Sequence, residues 1–425
     1  MRRRSAREIA QHSGHRGERQ RDVSNEEQTA KRWTAARSSY SPSDTSTRTS
    51  LMQATRGILV RSLAAALLIT ITGCCLGAVA FVVKHASMRP YHLLAARTAT
   101  GWRISGQSGL KVSSIALAGD YLAVAIDQFV FEVDLRTGQS RELDWVADGY
   151  QLANVVQSDR YVVWASQSAD SSTMSAFDVR SNRRSRVYSG RDEAEPIGIW
   201  GSLLVWVSTP SGVGGTSRLL TTDLTNGRES VVASFPSDTQ SPLVSGSWLL
   251  WFPHPASATG SSGIDLVEAK NLANGRQLGI TPPATRGIST VTCLAWGQWL
   301  IWEGAHLKTG STDMPAYCTL TAQSLQTGKS LLIARTPWFA SPVVDQSLVV
   351  WLASAPSSRR GQIVGRRLGG GRTFVITRTA DIDIGSGPRV SDGTVAWING
   401  SRSTVETVRL PSSATGALTP PPTSH

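Results

Sequence analysis

The chain has 425 residues, 40% of them hydrophobic and 17% charged, with a formal net charge of +12. That apolar content over this length excludes a wholly disordered protein, and four cysteines are too few for a disulfide-stapled scaffold. Residues 1–61 hold 13 basic against 6 acidic residues, +7 of the overall +12, so the basic excess belongs to one end and does not mark a nucleic-acid-binding face.

Residues 1–56 are rich in Arg, Ser, Thr and Gln and poor in apolar side chains, so they read as a disordered tail that cannot bury enough surface to fold. Segment 57–84 follows, and within it Ser62 to Val83 is uncharged and mostly apolar. Its 22 residues match the ~20 that span a bilayer as a helix. Arg is dense before this stretch and sparse after it. The expected arrangement is therefore a signal anchor, with the tail in the cytoplasm on anionic lipid headgroups and the remainder outside. Ile71-Thr72-Gly73-Cys74 supplies an alternative, a lipoprotein signal with lipidation at Cys74. Met52 is an alternative start.

A linker, 85–93, leads to a region, 94–412, that repeats one phrase seven times. Each copy has a turn rich in Gly, Asp or Ser, an apolar strand, a loop, and a second strand closing on a turn. The apolar strands end at Val124, Trp164, Trp206, Trp251, Trp302, Trp351 and Trp397, spaced 40, 42, 45, 51, 49 and 46 residues apart. That period fits a four-stranded propeller blade. The runs of Val, Leu and Trp suit strands covered on both faces. Asp134, Asp178 and Asp223, then Asn271, Ser324 and Arg367, mark the closing turn, which ends in Gly or Asn. Because the residue drifts in type without disturbing the repeat, it reads as a turn cap and not a metal or acid–base group. The regular spacing of the six Trp predicts packing between blades. The last unit stops after three strands, and a strand near Leu94–Ile104 has no blade of its own. The sequence thus predicts an all-β, seven-bladed propeller whose last blade is closed by an N-terminal strand. Residues 413–425 read as a loose tail.

The loop between second and third strands lengthens over units three to six, predicting a raised crest at Ser208–Ser217, Phe252–Gly263, Glu303–Pro315 and Ala353–Gly361. His254, Glu303, His306, Asp313, Trp338 and Arg359 are the candidate binding residues of this rim. His254 and His306, with Glu303 or Asp313, would be the start of a metal site, against the simpler reading of two loop histidines. Cys293 and Cys318 fall in one unit and read as two buried thiols, with a disulfide as the alternative. No G-x-S-x-G elbow, P-loop, H-E-x-x-H or paired C-x-x-C occurs, so no catalytic residue or cofactor is assigned.

The strand–Trp and Asp-Leu-x-Thr-Gly-type phrases, over Val112 to Leu410, resemble those of the TolB-like and quinoprotein-like extracytoplasmic propellers. The resemblance implies a β-propeller, often a protein-binding scaffold of the bacterial envelope. The expectation is a membrane-anchored, non-catalytic module that binds a protein or envelope glycan through its crest. A propeller lyase, hydrolase or quinoprotein, or a sensor ectodomain signalling through the tail, are the alternatives.

Overall fold

The structure is a computed structural model that describes residues 92–411, apart from 107–109, 212–214, 238–241, 254–265, 282–287, 297–298, 308–314, 325–326, 338–340, 354–359, 369–370, 384–386 and 402. The apolar segment 62–83, both tails and Cys74 therefore lie outside the described residues. Among the described residues no helix is long and apolar enough to cross a membrane.

Two strands come first, β1 (Leu94–Arg97) and β2 (Gly101–Ser105). Six four-stranded blades follow. Blade 1 is β3 (Val112–Ala118), β4 (Tyr121–Ile126), β5 (Phe129–Asp134) and β6 (Ser140–Trp145). Blade 2 is β7 (Gln151–Gln157), β8 (Tyr161–Gln167), β9 (Ser172–Asp178) and β10 (Arg183–Gly190). Blade 3 is β11 (Glu193–Trp200), β12 (Leu203–Thr209), β13 (Thr216–Asp223) and β14 (Glu229–Pro236). Blade 4 is β15 (Leu243–Ser245), β16 (Trp248–Trp251), β17 (Val267–Asn271) and β18 (Gln277–Ile280). Blade 5 is β19 (Ile288–Trp296), β20 (Trp299–Leu307), β21 (Pro315–Ser324) and β22 (Ser330–Thr336). Blade 6 is β23 (Val343–Asp345), β24 (Leu348–Ala353), β25 (Arg360–Arg367) and β26 (Phe374–Asp381). In blade 7, β27 (Arg389–Ser391), β28 (Thr394–Ile398) and β29 (Thr404–Arg409) are joined by β2, which pairs antiparallel with β29 from Gly101↔Val408 to Ser105↔Thr404. β1 adds a fifth strand outside β2. The first strands β3, β7, β11, β15, β19, β23 and β27 neighbour one another in that order and back to β3. They line the axis of a closed ring, a seven-bladed β-propeller.

Seven apolar clusters fill the seven walls between successive blades. Each repeated Trp turns toward the blade before it. Trp164 packs with Ala123 and Val130 of blade 1, and Trp206 with Val163 and Met174 of blade 2. All six are buried. Three of the indole N–H groups donate to side chains: Trp164 Nε1 to Asp144 Oδ2 (3.1 Å), Trp206 to Thr222 Oγ1 (2.9 Å) and Trp302 to Gln323 Oε1 (3.0 Å). β16 stops at Trp251 as the repeat suggests, but other second strands do not. β8 and β12 run three residues further and β20 five, because residues beyond the Trp still pair with the third strand.

Turn chemistry fixes the lower face. The side chains of Asp134, Asp178, Asp223 and Asn271 each accept the backbone N–H two residues on, at 2.8–3.0 Å. Ser324 Oγ accepts that of Thr327 at 3.2 Å. The turn then closes through a left-handed Gly such as Gly138 (φ 76°) or Gly227 (φ 73°), a conformation that other residues adopt at a cost. The residue after the cap reaches back to the turn before the second strand: Leu135 N–H to Asp120 O, Leu224 to Ser202, Leu272 to Ser247 and Leu410 to Gly393, at 2.7–2.9 Å. These Asp are turn caps.

Candidate functional site

Inner strands of a propeller all run the same way, so their starting ends share one mouth of the channel with the ends of the second strands. At that mouth a cavity of roughly 340 Å³ opens, toward the lower end of the usual ligand-pocket range. It is lined by Ser113 and Ser114 of β3, Ala153 and Asn154 of β7, Gln167 of β8, Glu193 and Glu195 of β11, and Arg389 of β27.

Local irregularity builds this lining. The β3–β4 pairing shifts register between Val112 and Ser114, β7–β8 between Leu152 and Asn154, and β11–β12 between Pro196 and Gly198. Each shift marks a β-bulge, which inserts one unpaired residue and re-aims its neighbours. Two of the inserted residues, Ser113 and Ala153, line the cavity. A belt of hydrogen bonds crosses the three strands. Ser114 Oγ donates to Asn154 Oδ1 (2.9 Å), and Asn154 Nδ2 donates to Pro196 O (3.1 Å). Gln167 Nε2 donates to Glu193 Oε1 at 2.9 Å.

Glu193 and Glu195 are two apart on one strand and so share a face. Burial, and then the neighbouring Glu193, raise the Glu195 carboxyl above its ordinary pKa. Among the described residues no group donates a hydrogen bond to Glu195. Arg389 stands almost directly across the channel, three blades away around the ring. Desolvation lowers its pKa from 12.5, and its Nη1 donates to Pro388 O at 3.1 Å. One wall is thus anionic, the facing wall cationic, and hydroxyls and amides lie between.

The crest residues named by the sequence do not build this site. His254, Asp313, Trp338 and Arg359 lie outside the described residues. His306 and Glu303 are described but are not brought together. Three positions apart on β20, they face opposite sides of the blade. His306 stacks on Tyr317 (ring centroids 4.2 Å, 20°), bonds Thr319 Oγ1 through Nε2 (3.2 Å), and has its pKa lowered by desolvation and then by Arg335. Glu303 is buried. Among the described residues no group of three His, Cys, Asp or Glu side chains could hold a metal ion. Cys318 is a buried, unbridged thiol pushed up to about 12, chiefly by burial. On the shared strand β20, Cys318 lies opposite Ala305 and Cys293 opposite Trp302, so the two are offset along the blade as well as across it. Sequence reasoning missed Glu193, Glu195, Asn154, Gln167 and Arg389. The Glu-Ala-Glu spacing, two carboxylates on one face of a strand, was the available signal.

No known family model matches the chain, and no curated protein matches it. Solved structures do resemble it. Oligogalacturonate lyase in complex with manganese aligns at 14% identity over 77% of this chain and 98% of its own, with a TM-score of 0.55. Oligogalacturonate lyase from Vibrio parahaemolyticus aligns at 13% identity over 76% of this chain and 97% of its own, with a TM-score of 0.52. TolB from Acinetobacter baumannii aligns at 12% identity over 69% and 82%, with a TM-score of 0.39, and that overlap carries nothing further. At these identities the likeness is one of fold, and the resemblance to TolB-like propellers is one of architecture. One expectation is corrected here. The chain was read as non-catalytic, yet two solved propellers of similar shape are enzymes. The absence of familiar catalytic motifs is no sign of a non-enzyme on this fold, because a propeller draws its chemistry from scattered strand ends.

Proposed function

We propose that the ring is an extracytoplasmic, membrane-tethered module that captures a small polar ligand of the cell envelope at the mouth of its channel. The observation that carries this reading is the cavity itself, where Glu193, Glu195, Arg389, Asn154, Gln167 and two serines converge from four blades. Convergent polar groups in one concave site are the usual mark of a ligand pocket. The tether is argued from Ser62–Val83 and the Arg bias before it, with the tail on anionic headgroups and lipidation at Cys74 as the alternative. Gln167, at the end of β8, lies at the same mouth, so a larger envelope protein or glycan reaching the ends of the second strands would meet the cavity there. A titration of the full-length chain in detergent micelles against polar metabolites, sugars and short peptides tests it. Saturable binding that is lost in Asn154→Ala with folding retained supports the site; binding unaffected by that change would move the ligand elsewhere.

A second reading is turnover of the bound ligand. It is favoured by Glu195, whose raised pKa is the property a general acid or base uses, and by the two lyases of like shape. Mass spectrometry of ligand incubated with the wild-type chain and with Glu195→Gln distinguishes it. Product formed only by the wild type supports turnover, and ligand recovered intact from both removes it.

A further inference from the structure

We infer that the outer margin of blade 2, built on β10, docks on the anionic lipid headgroups of the bilayer that holds the tether. This rests on the tether proposed above and adds which edge of the ring meets the membrane.

Outer strands of a propeller are sheet edges, and a single basic residue is a common guard against pairing there. β10 carries more than a guard. Residues Arg183–Gly190 include three arginines and no acid, while none of the other outermost strands (β1, β6, β14, β18, β22 and β26) holds more than one basic residue. With Arg180 in the preceding turn, residues 180–186 are exposed without a break and hold four arginines. Arg184 is spent on the fold: its guanidinium pairs with Asp144 of β6 and donates to Ser175 Oγ at 3.1 Å. The guanidinium groups of Arg180, Arg183 and Arg186 form no hydrogen bond or ion pair among the described residues.

Alternation along the strand turns Arg186 to the same side as Arg184, toward blade 1, and Arg183 to the other side. The charge therefore straddles the margin. A flat surface meeting the margin end-on touches both sides at once, whereas a ligand in a groove would call for them on one side. The guanidinium fork suits a phosphodiester, and each basic residue near an anionic membrane adds attraction. Other occupants fit less well. The β9–β10 pairing slips between Arg186 and Tyr188, a bulge that spoils this edge for an added partner strand. Among the described residues no exposed large apolar side chain lies on β10, so a protein partner finds no apolar anchor there. The route of the chain agrees with the docking. It enters the ring at β1, on the outer edge of blade 7, and blade 1 alone separates blade 7 from blade 2. The linker, residues 85–93, reaches at most about 30 Å when fully extended, which confines a tethered ring to the neighbourhood of the headgroups.

Hydrogen–deuterium exchange of the full-length chain in lipid nanodiscs tests the docking, comparing discs of phosphatidylcholine alone with discs that also hold phosphatidylglycerol. Exchange of the β10 amides is expected to slow by about fivefold or more in the anionic discs, the scale of one arginine's attraction. Exchange of β18, the outer strand of blade 4, should be the same in both. Salt at about 0.5 M should remove the difference by screening. Arg183→Glu combined with Arg186→Glu should remove it too, and the wild-type comparison decides the matter even where that variant does not fold. Equal β10 exchange in both discs overturns the docking and leaves the tether standing. Slowing that survives the two glutamates, or that β18 shares, overturns it as well, because the arginines of blade 2 would not be its cause. Slowing by dissolved polyglutamate in neutral discs, with none from anionic lipid, overturns the lipid in favour of an acidic protein. A chain that enters neither kind of disc overturns the tether and the docking together.

Discussion

The inner strands of blades 1, 2 and 3 run seven, seven and eight residues, whereas those of blades 4, 6 and 7 run three each. The long strands all carry a bulge, and they pave the axis with Ser114, Asn154, Glu193 and Glu195 up to the open mouth. The three-residue strands of blades 6 and 7 end in turns on the opposite face. There Asp345 Oδ2 accepts the Asp392 N–H (2.7 Å), Gln346 Nε2 donates to Asp392 Oδ1 (3.3 Å), and Ser391 Oγ accepts the Gly119 N–H (2.9 Å). The walls between blades are built alike all round the ring. The difference teaches that packing obeys the repeat, while most groups lining the cavity come from three adjoining bulged inner strands that depart from it, with Arg389 of β27 the exception.

The largest effect is expected at a wall. Trp164→Ala should cost about 3–5 kcal/mol, as deletion of a buried aromatic usually does, and denaturant unfolding measures it. It also removes the donor to Asp144, a buried carboxylate paired with Arg184. A loss below ~1 kcal/mol would break the claim that walls carry the stability. Asn154→Ala strikes the long-strand half, leaving Pro196 O and Ser114 Oγ short of a partner. A loss of about 1–3 kcal/mol is expected, with binding at the cavity impaired as well.

Asp345→Asn probes the short-strand half and has the opposite sign. Burial, with a smaller contribution from the Asp392 charge, raises the Asp345 carboxyl from 3.8 to about 6, so the folded protein holds this proton more tightly than the unfolded chain. Stability is present below about pH 4 and declines as pH rises to about 6. The Asn variant should gain roughly 1–2 kcal/mol over wild type at pH 7.5, a value discounted for the partial exposure of the group. The gain should vanish near pH 4, and melts at the two pH values decide it. Asp223→Ala, at the exposed lower-face turn of blade 3 and away from the cavity, removes the acceptor of the Thr225 N–H, the Thr225 hydroxyl and Asn226 Nδ2; it should cost about 1 kcal/mol and leave binding unchanged. Binding lost on this change would mean that the lower-face turns matter to the site.

How much of this was legible in the residues follows the same division. Trp164, Trp206, Trp351 and their counterparts announce the blades because each wall needs the same apolar shape at the same interval. Asp134, Asp178 and Asp223 announce the turns because a short acceptor two residues before a backbone N–H is a local device. Glu193, Glu195 and Arg389 were not legible as a site. They are 196 residues apart at the extremes, and nothing local ties them to one cavity.

The sequence by itself determined the number of blades, their order and the residues between them, since hydrophobic period and turn chemistry act over a few residues. Only the tertiary structure decided which irregular positions meet, because closing the ring brings blade 7 beside blade 1 and sets Arg389 across the channel from Glu195. Contacts made by ring closure depend on the whole path of the chain, and no short stretch of it encodes them.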